Sequence, residues 1–246
     1  MRIHFKRAAL FLSLFYFAFS HQAYAADPPE RVLILFDRSG SMQALLGGVP
    51  KIEMGRTLFA ELAKDFDGNQ NVSVRFFAGG QADTKQENCL ASVVALPFGP
   101  RTENPFKALE KDLTAKGRRT PLTKAIELAR EDLAGWTGPR RIIIISDGMD
   151  TCGEDPVPAA EEMGAGGIEF NIVGLGQPAE MAQLAELGLS SGASFSLAGS
   201  YGEFASAMGS MLPTMPAMPP MPMNMPGGPG DDAGGGAGAG AGGGGG

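Results

Sequence analysis

The feature that most constrains this chain is an apolar run that stops on an acid: Val32-Leu33-Ile34-Leu35-Phe36, then Asp37-Arg38-Ser39-Gly40-Ser41-Met42. Apolar residues in unbroken succession, without polar alternation, read as a strand buried on both faces, as in the interior of a parallel sheet. Asp37, Ser39 and Ser41 then stand at the carboxyl end of that strand, where open α/β sheets place their ligand sites. Their side chains offer only oxygen, the donor that suits a hard cation such as Mg²⁺ or Ca²⁺. A helix cap after a strand would carry the same residues, so the triplet needs partners elsewhere in the chain.

A second run of the same kind is Arg141-Ile142-Ile143-Ile144-Ile145-Ser146, and it too ends on an acid, in Asp147-Gly148. Between the two runs the pattern alternates. Ile52, Leu58, Phe59, Leu62, Ala63 and Phe66 recur at helical spacing, with a stop near Asp67-Gly68-Asn69. Val72 to Phe77 is β-rich, and a short strand from Ala91 to Leu96 follows after a polar interval with no helical pattern. That interval predicts an antiparallel pairing at a sheet edge. Phe106 to Leu113 reads as a short helix introduced by Asn104-Pro105, and Leu122 to Leu133 as a second, with Thr120 as N-cap and Pro121 in the first helical position. Beyond Asp147 come a helix near Ala159 to Met163, a strand from Ile168 to Val173, and a helix around Ala179 to Leu187. A brief strand from Ser194 to Leu197 and a closing helix from Tyr201 to Met211 end the pattern. Gly174-Leu175-Gly176 is too short for a dinucleotide fingerprint and reads as a turn. Trp136, the only tryptophan, reads as packing at a domain edge. Strand and helix in alternation predict an α/β fold: a doubly wound, mostly parallel central sheet with one antiparallel edge strand and helices on both faces.

The two ends stand apart from this pattern. Residues 1–25 combine a basic start (Arg2, Lys6, Arg7), an apolar stretch from Ala8 to Phe19 and the small-x-small step Ala23-Tyr24-Ala25. This reads as a cleaved secretory signal, with an uncleaved anchor as the alternative. Residues 213–246 are rich in Met, Pro and Gly, then Gly and Ala only, a composition that cannot offset its ordering entropy. The tail reads as a disordered linker or spacer; its methionines, soft thioethers suited to Cu(I), are the alternative. Residues 27–212 are left as a single domain of about 185 residues, enough for a full core.

Removing the leader takes away both histidines, His4 and His21, and moves the net charge from −7 to −10 through the loss of Arg2, Lys6 and Arg7. Without imidazole, histidine-based triads, metal sites and near-neutral pH switches are excluded. The acidic balance argues against nucleic acid or an anionic membrane as partner, and no later segment resembles a membrane span. Cys89 and Cys152 are an even pair in an exported chain, which suggests one disulfide, the alternative being two buried thiols. Closure of a loop of that length stabilises a fold by about 4 kcal/mol.

With the two acids and the threonine in place, the chain resembles a von Willebrand factor type A (VWA) domain of the exported bacterial type, carrying a metal-ion-dependent adhesion site. The resemblance runs from Glu30 to about Leu212. That family's motif, Asp-x-Ser-x-Ser, then Thr, then Asp, is matched by Asp37, Ser39, Ser41, Thr120 and Asp147 in order. The resemblance implies these five as ligands of a divalent cation, with Mg²⁺ first and Ca²⁺ or Mn²⁺ as alternatives, and a protein partner whose carboxylate completes the coordination. It implies a periplasmic or secreted, non-enzymatic binding module. Where the family often has Gly-Gly before the threonine, this chain has Arg118-Arg119. With Arg38 they form a candidate basic rim that steers acidic partners, or else an ordinary solvated loop. The competing readings are a phosphatase-like hydrolase using Asp37 as nucleophile, although Ser39 stands where that chemistry wants a second acid, and a metal-independent scaffold with a vestigial site.

Overall fold

The computed structural model describes residues 27–64, 71–101 and 103–212. The leader (1–25), the helix stop expected near Asp67-Gly68-Asn69 and the tail (213–246) lie outside the described residues. In chain order the elements are β1 (Arg31–Asp37), a 3₁₀ turn (Gly40–Gln43), β2 (Leu45–Leu46), β3 (Val49–Pro50), α1 (Lys51–Lys64), β4 (Val72–Phe77), α2 (Lys85–Cys89) and β5 (Ser92–Leu96). They continue with α3 (Phe106–Asp112), α4 (Leu122–Asp132), β6 (Arg140–Ser146), α5 (Val157–Ala165), β7 (Glu169–Leu175), α6 (Ala182–Ser191), β8 (Ser194–Ala198) and α7 (Tyr201–Met211). The main sheet has the order β5-β4-β1-β6-β7-β8. All pairings are parallel except β4 with the edge strand β5, as the alternating pattern predicts. Among the described residues no helix is long and apolar enough to cross a membrane.

The unbroken apolar runs are explained by two cores, one on each face. Side chains alternate across a strand, so Val32, Ile34 and Phe36 of β1 join α1, α3 and α7, whereas Leu33 and Leu35 join α4, α5 and α6. β6 divides in the same way, with Ile143 and Ile145 on the first face and Ile142 and Ile144 on the second. Phe36, Phe59 and Phe76 lock α1 onto β1 and β4, with ring centroids 5.8 to 6.4 Å apart. Gly55 permits this, since a Cβ there would lie 2.3 Å from the Phe36 ring. On the other face Asp132, at the end of α4, accepts two hydrogen bonds from Arg75 of β4 at 2.7 and 2.8 Å. At the amino-terminal edge of the sheet the Arg31 guanidinium lies 3.9 Å from the ring of Trp136, a packing role for that residue.

The order of winding fixes where a ligand can sit. From β1 the chain moves outward to β4 and β5, then returns to the other side of β1 with β6. β1 and β6 therefore flank the point where the winding reverses, and adjacent parallel strands diverging there leave a crevice at their carboxyl ends. Asp37 closes β1 and Asp147 directly follows β6.

Three sequence expectations differ from the structure. The N-cap of α4 is Pro121 rather than Thr120, with no side-chain cap of its own; instead Thr123 N–H donates to Asp150 Oδ2 at 3.1 Å, a cap supplied by the loop after β6. The polar interval before Cys89 holds a short helix, α2, capped by Thr84, which accepts from Glu87 N–H. Five residues are too few to show a helical period. Gly174 and Leu175 belong to β7 and not to a turn, because glycine at 174 clears Phe195 and Met181, each about 3 Å from where a Cβ would stand.

Candidate metal site

Four of the five nominated residues meet in one hydrogen-bonded chain above the crevice. Asp37 is fully buried, and its Oδ1 accepts from Ser39 N–H at 2.7 Å. That bond turns the backbone sharply and brings the two serine hydroxyls together, Ser39 Oγ to Ser41 Oγ, at 2.8 Å. Ser41 Oγ donates in turn to Asp147 Oδ1 at 2.7 Å. The second oxygen of Asp37 accepts from Ser146 Oγ at 2.5 Å. The two strand-end carboxylates are thus linked through hydroxyls and do not face each other bare.

Thr120 arrives by a different route. Its loop runs beside β1's end: Ser39 bridges to Gly117, Gly40 N–H donates to Gly117 C=O at 2.8 Å, and Gly117 N–H donates to Arg38 C=O at 2.9 Å. Gly117 is held so close to β4 that a Cβ would overlap Ala78 C=O, 1.2 Å away. Ala78 itself takes φ 63°, a left-handed conformation a non-glycine residue adopts only when its surroundings impose it. Thr120 is buried, and Thr151 grips its backbone at both ends. Thr120 N–H donates to Thr151 Oγ1 at 2.7 Å, and Thr151 N–H to Thr120 C=O at 3.0 Å. Among the described residues no hydrogen bond ties the Thr120 hydroxyl to the other four.

The loop after β6 carries this grip. Asp150 Oδ1 accepts from the backbone N–H groups of Cys152 and Gly153 at 2.6 and 3.0 Å, while Oδ2 caps α4. Cys152 is bonded to Cys89 at the end of α2, with Cα atoms 5.7 Å apart. The expected disulfide therefore joins the β6 loop to the segment leading into β5, and Thr151, its neighbour, touches the loop of Thr120.

The nominated arginines are not equivalent. Arg38 is half-buried, donates to Thr114 C=O and Thr114 Oγ1, each at 2.8 Å, and lies over the Phe76 ring. Its charge is committed within the fold. Arg118 and Arg119 are exposed on the Thr120 loop, and Arg118 donates to Ala82 C=O.

Sequence reasoning missed three participants. Ser146 carries one oxygen of Asp37, and Thr151 positions Thr120. Lys51, the first residue of α1, donates from Nζ to Asp147 Oδ2 at 3.0 Å in a buried ion pair. Ser146 had a signal, being the one hydroxyl that ends a run of isoleucines. Lys51 lies 96 residues from its acid and had none.

The electrostatics are lopsided. Asp147 has its ammonium ion, while among the described residues Asp37 has no ion pair. Burial pushes the Asp37 carboxyl from 3.8 to about 6; the Ser146 hydrogen bond opposes this and the charge of Asp147 adds to it. When ionised, this buried carboxylate has hydrogen bonds but no counter-charge among the described residues. The side chains joined here are two carboxylates and two serine hydroxyls, hard oxygen throughout, with Thr120 in the adjoining loop; such oxygen suits a hard divalent cation. Among the described residues no group of three or more His, Cys, Asp and Glu stands where it could hold a metal ion.

A doubly wound sheet with acids and hydroxyls at its switch point defines a class of α/β binding domain, and the match to known families is specific. The profile of the von Willebrand factor type A domain covers residues 32–206, and the chain belongs to that family. It is 26% identical over 155 residues to YwmC of Bacillus subtilis (strain 168), an uncharacterized protein, spanning 61% of this chain and 67% of that one. Among solved structures it resembles BatB, a conserved hypothetical protein of Bacteroides thetaiotaomicron, with TM-score 0.52 and 19% identity over 70% of this chain and 90% of that one. It also resembles proximal thread matrix protein 1 from the mussel byssus, in a structure with a zinc-occupied adhesion-site motif. There the TM-score is 0.52 and the identity 18%, over 76% of this chain and 48% of that one. At these identities the structural likeness bears on the fold alone.

Proposed function

We propose that this protein is an exported, non-enzymatic module that binds a protein partner through a divalent cation, held by Asp37, Ser39, Ser41, Thr120 and Asp147. The observation that carries the reading is the hydrogen-bonded chain of Asp37, Ser39, Ser41 and Asp147 at the switch point, with no counter-charge to the Asp37 carboxylate among the described residues. When bound, a cation would supply that charge and leave room in its coordination for an acid of the partner. The protein's own residues orient the donors. Ser39 N–H and Ser146 fix Asp37, Ser41 spans to Asp147, and Thr151 holds Thr120 in the adjoining loop. Mg²⁺ is the first choice of ion, with Mn²⁺ and Ca²⁺ as alternatives; the zinc-occupied motif of the byssal protein offers a further ion to try.

Burial argues against the hydrolase alternative: a nucleophilic carboxylate must reach its substrate, and Asp37 has no exposed surface. The disulfide accords with a periplasmic or secreted location, where such bonds persist. Arg119, and Arg118 at 4.0 Å from the exposed Asp83, stand exposed beside Thr120 and are the better candidates to steer an acidic partner, Arg38 being held by Thr114 and the Phe76 ring. The test is calorimetric titration of Mg²⁺, Mn²⁺ and Ca²⁺ into the protein and into Asp37→Ala and Ser41→Ala. Partner capture with and without chelator accompanies it. Saturable cation binding lost in both variants, with capture abolished by chelator, is expected. Capture indifferent to chelator and to Asp37→Ala would leave the metal-independent scaffold as the answer.

A further inference from the structure

We infer that Lys51 is a resident counter-ion of this site: it neutralises Asp147 while no divalent cation is bound, and it weakens the site's hold on a cation that has no partner acid. The inference rests on the reading of Asp37, Ser39, Ser41, Thr120 and Asp147 as cation ligands.

The placement of Lys51 runs against local preference twice. It is the first residue of α1, where the helix dipole disfavours positive charge. It is also only 7% exposed, although lysine is almost never buried unless paired. What compensates is Asp147, whose side chain is 1% exposed and whose Oδ2 lies 3.0 Å from Nζ. The backbone holds the lysine in place as well, since Lys51 N–H donates to Ala44 C=O at 3.0 Å, just past the turn that carries Ser41. The ammonium ion thus stands on the oxygen of Asp147 that the serine chain leaves free, with Ser41 on the other.

The charge count gives this a functional meaning. Two carboxylates alone would balance a divalent cation and could retain it without help. With Lys51 present, the loaded site carries one surplus positive charge in a poorly screened setting. That surplus disfavours the lone cation and favours the arrival of a carboxylate, so binding of the ion and binding of the partner reinforce each other.

The test compares the full chain with Lys51→Met and Lys51→Arg, measuring Mg²⁺ affinity by calorimetry and thermal unfolding in chelator. Lys51→Met is expected to bind Mg²⁺ at least about tenfold more tightly than the wild type, since a unit charge beside the ligands is gone. It should unfold at a lower temperature in chelator and regain the loss when Mg²⁺ is added. Lys51→Arg, which keeps the charge, should stay near the wild type in both measurements. Equal or weaker Mg²⁺ binding by Lys51→Met, or an unchanged unfolding temperature in chelator, would overturn the inference. So would a Lys51→Met chain that stays unfolded at saturating Mg²⁺, because the ion would then not replace the ammonium. If the wild type and both variants all fail to bind any cation, the reading of the site falls and takes this one with it. Failure of Lys51→Met alone leaves the cation site standing.

Discussion

Replacing Asp37 by asparagine should stabilise the cation-free protein and abolish its response to the cation. Asparagine keeps the shape and keeps an oxygen for the Ser39 N–H, 2.7 Å away. Its amide nitrogen takes the place of Oδ2 and donates to Ser146 Oγ, whose own proton can turn to Gly148 C=O at 3.0 Å. What disappears is a buried charge. The folded-state pKa is the higher one, about 6 against 3.8. The Asp37 contribution to stability is therefore fully present below 3.8 and is lost as pH rises through about 6. A difference of that size corresponds to roughly 3 kcal/mol against the ionised fold. In chelator at about pH 8, Asp37→Asn should then exceed the wild type by about 1–3 kcal/mol, and the gap should close by about pH 4. Added Mg²⁺ should raise the wild type and leave the variant where it was. Urea unfolding at both pH values, with chelator and with Mg²⁺, measures all of this. An Asp37→Asn chain less stable than the wild type at the higher pH in chelator would refute the reasoning, because Asp37 would then be a satisfied acid and not one that lacks a cation.

Three further perturbations probe what holds the site. Gly55→Ala places a methyl group 2.3 Å from the Phe36 ring and should lower unfolding free energy by about 1–3 kcal/mol despite alanine's better helix propensity. Asp132→Ala strands Arg75, 6% exposed, and should cost about 3–5 kcal/mol in chemical denaturation, while cation affinity, set on the far end of the sheet, stays unchanged. Thr151→Val removes the acceptor for Thr120 N–H and should weaken Mg²⁺ binding about fivefold, the worth of one hydrogen bond, read by calorimetry with the disulfide intact.

The sheet and its candidate site were legible because Val32–Phe36 of β1 and Ile142–Ile145 of β6 are unbroken apolar runs with an acid at or just past each strand's end; such runs belong to strands covered by helices on both faces. The antiparallel edge was legible from the shortness of the interval before β5. Interactions that join distant segments were not. The Asp150 cap of α4, the Thr151 grip on Thr120 and the Lys51–Asp147 pair each depend on where a loop lands after the strands are paired. A cap read from neighbours in sequence points to Thr120, since a threonine before proline at a helix start is a sound local signal. Here it lost to an aspartate brought across by the fold. The committed position of Arg38 is of the same kind: its charge is visible in the sequence, but its attachment to Thr114 is not.

The close crossing of Gly117 with Ala78 and Arg38 has a consequence for altering this protein. It pins the chain just ahead of Thr120 to the ends of two strands, so the ligand end of that loop has no slack. Arg118 N–H donates to Gly80 C=O at 3.0 Å and Gln81 Nε2 to Lys116 C=O at 3.2 Å, so the backbone on either side shares the pin, and what is left open to change is the exposed side chains of Arg118 and Arg119. Recognition could be rewritten there by substitution, while the five residues proposed to hold the cation keep their places.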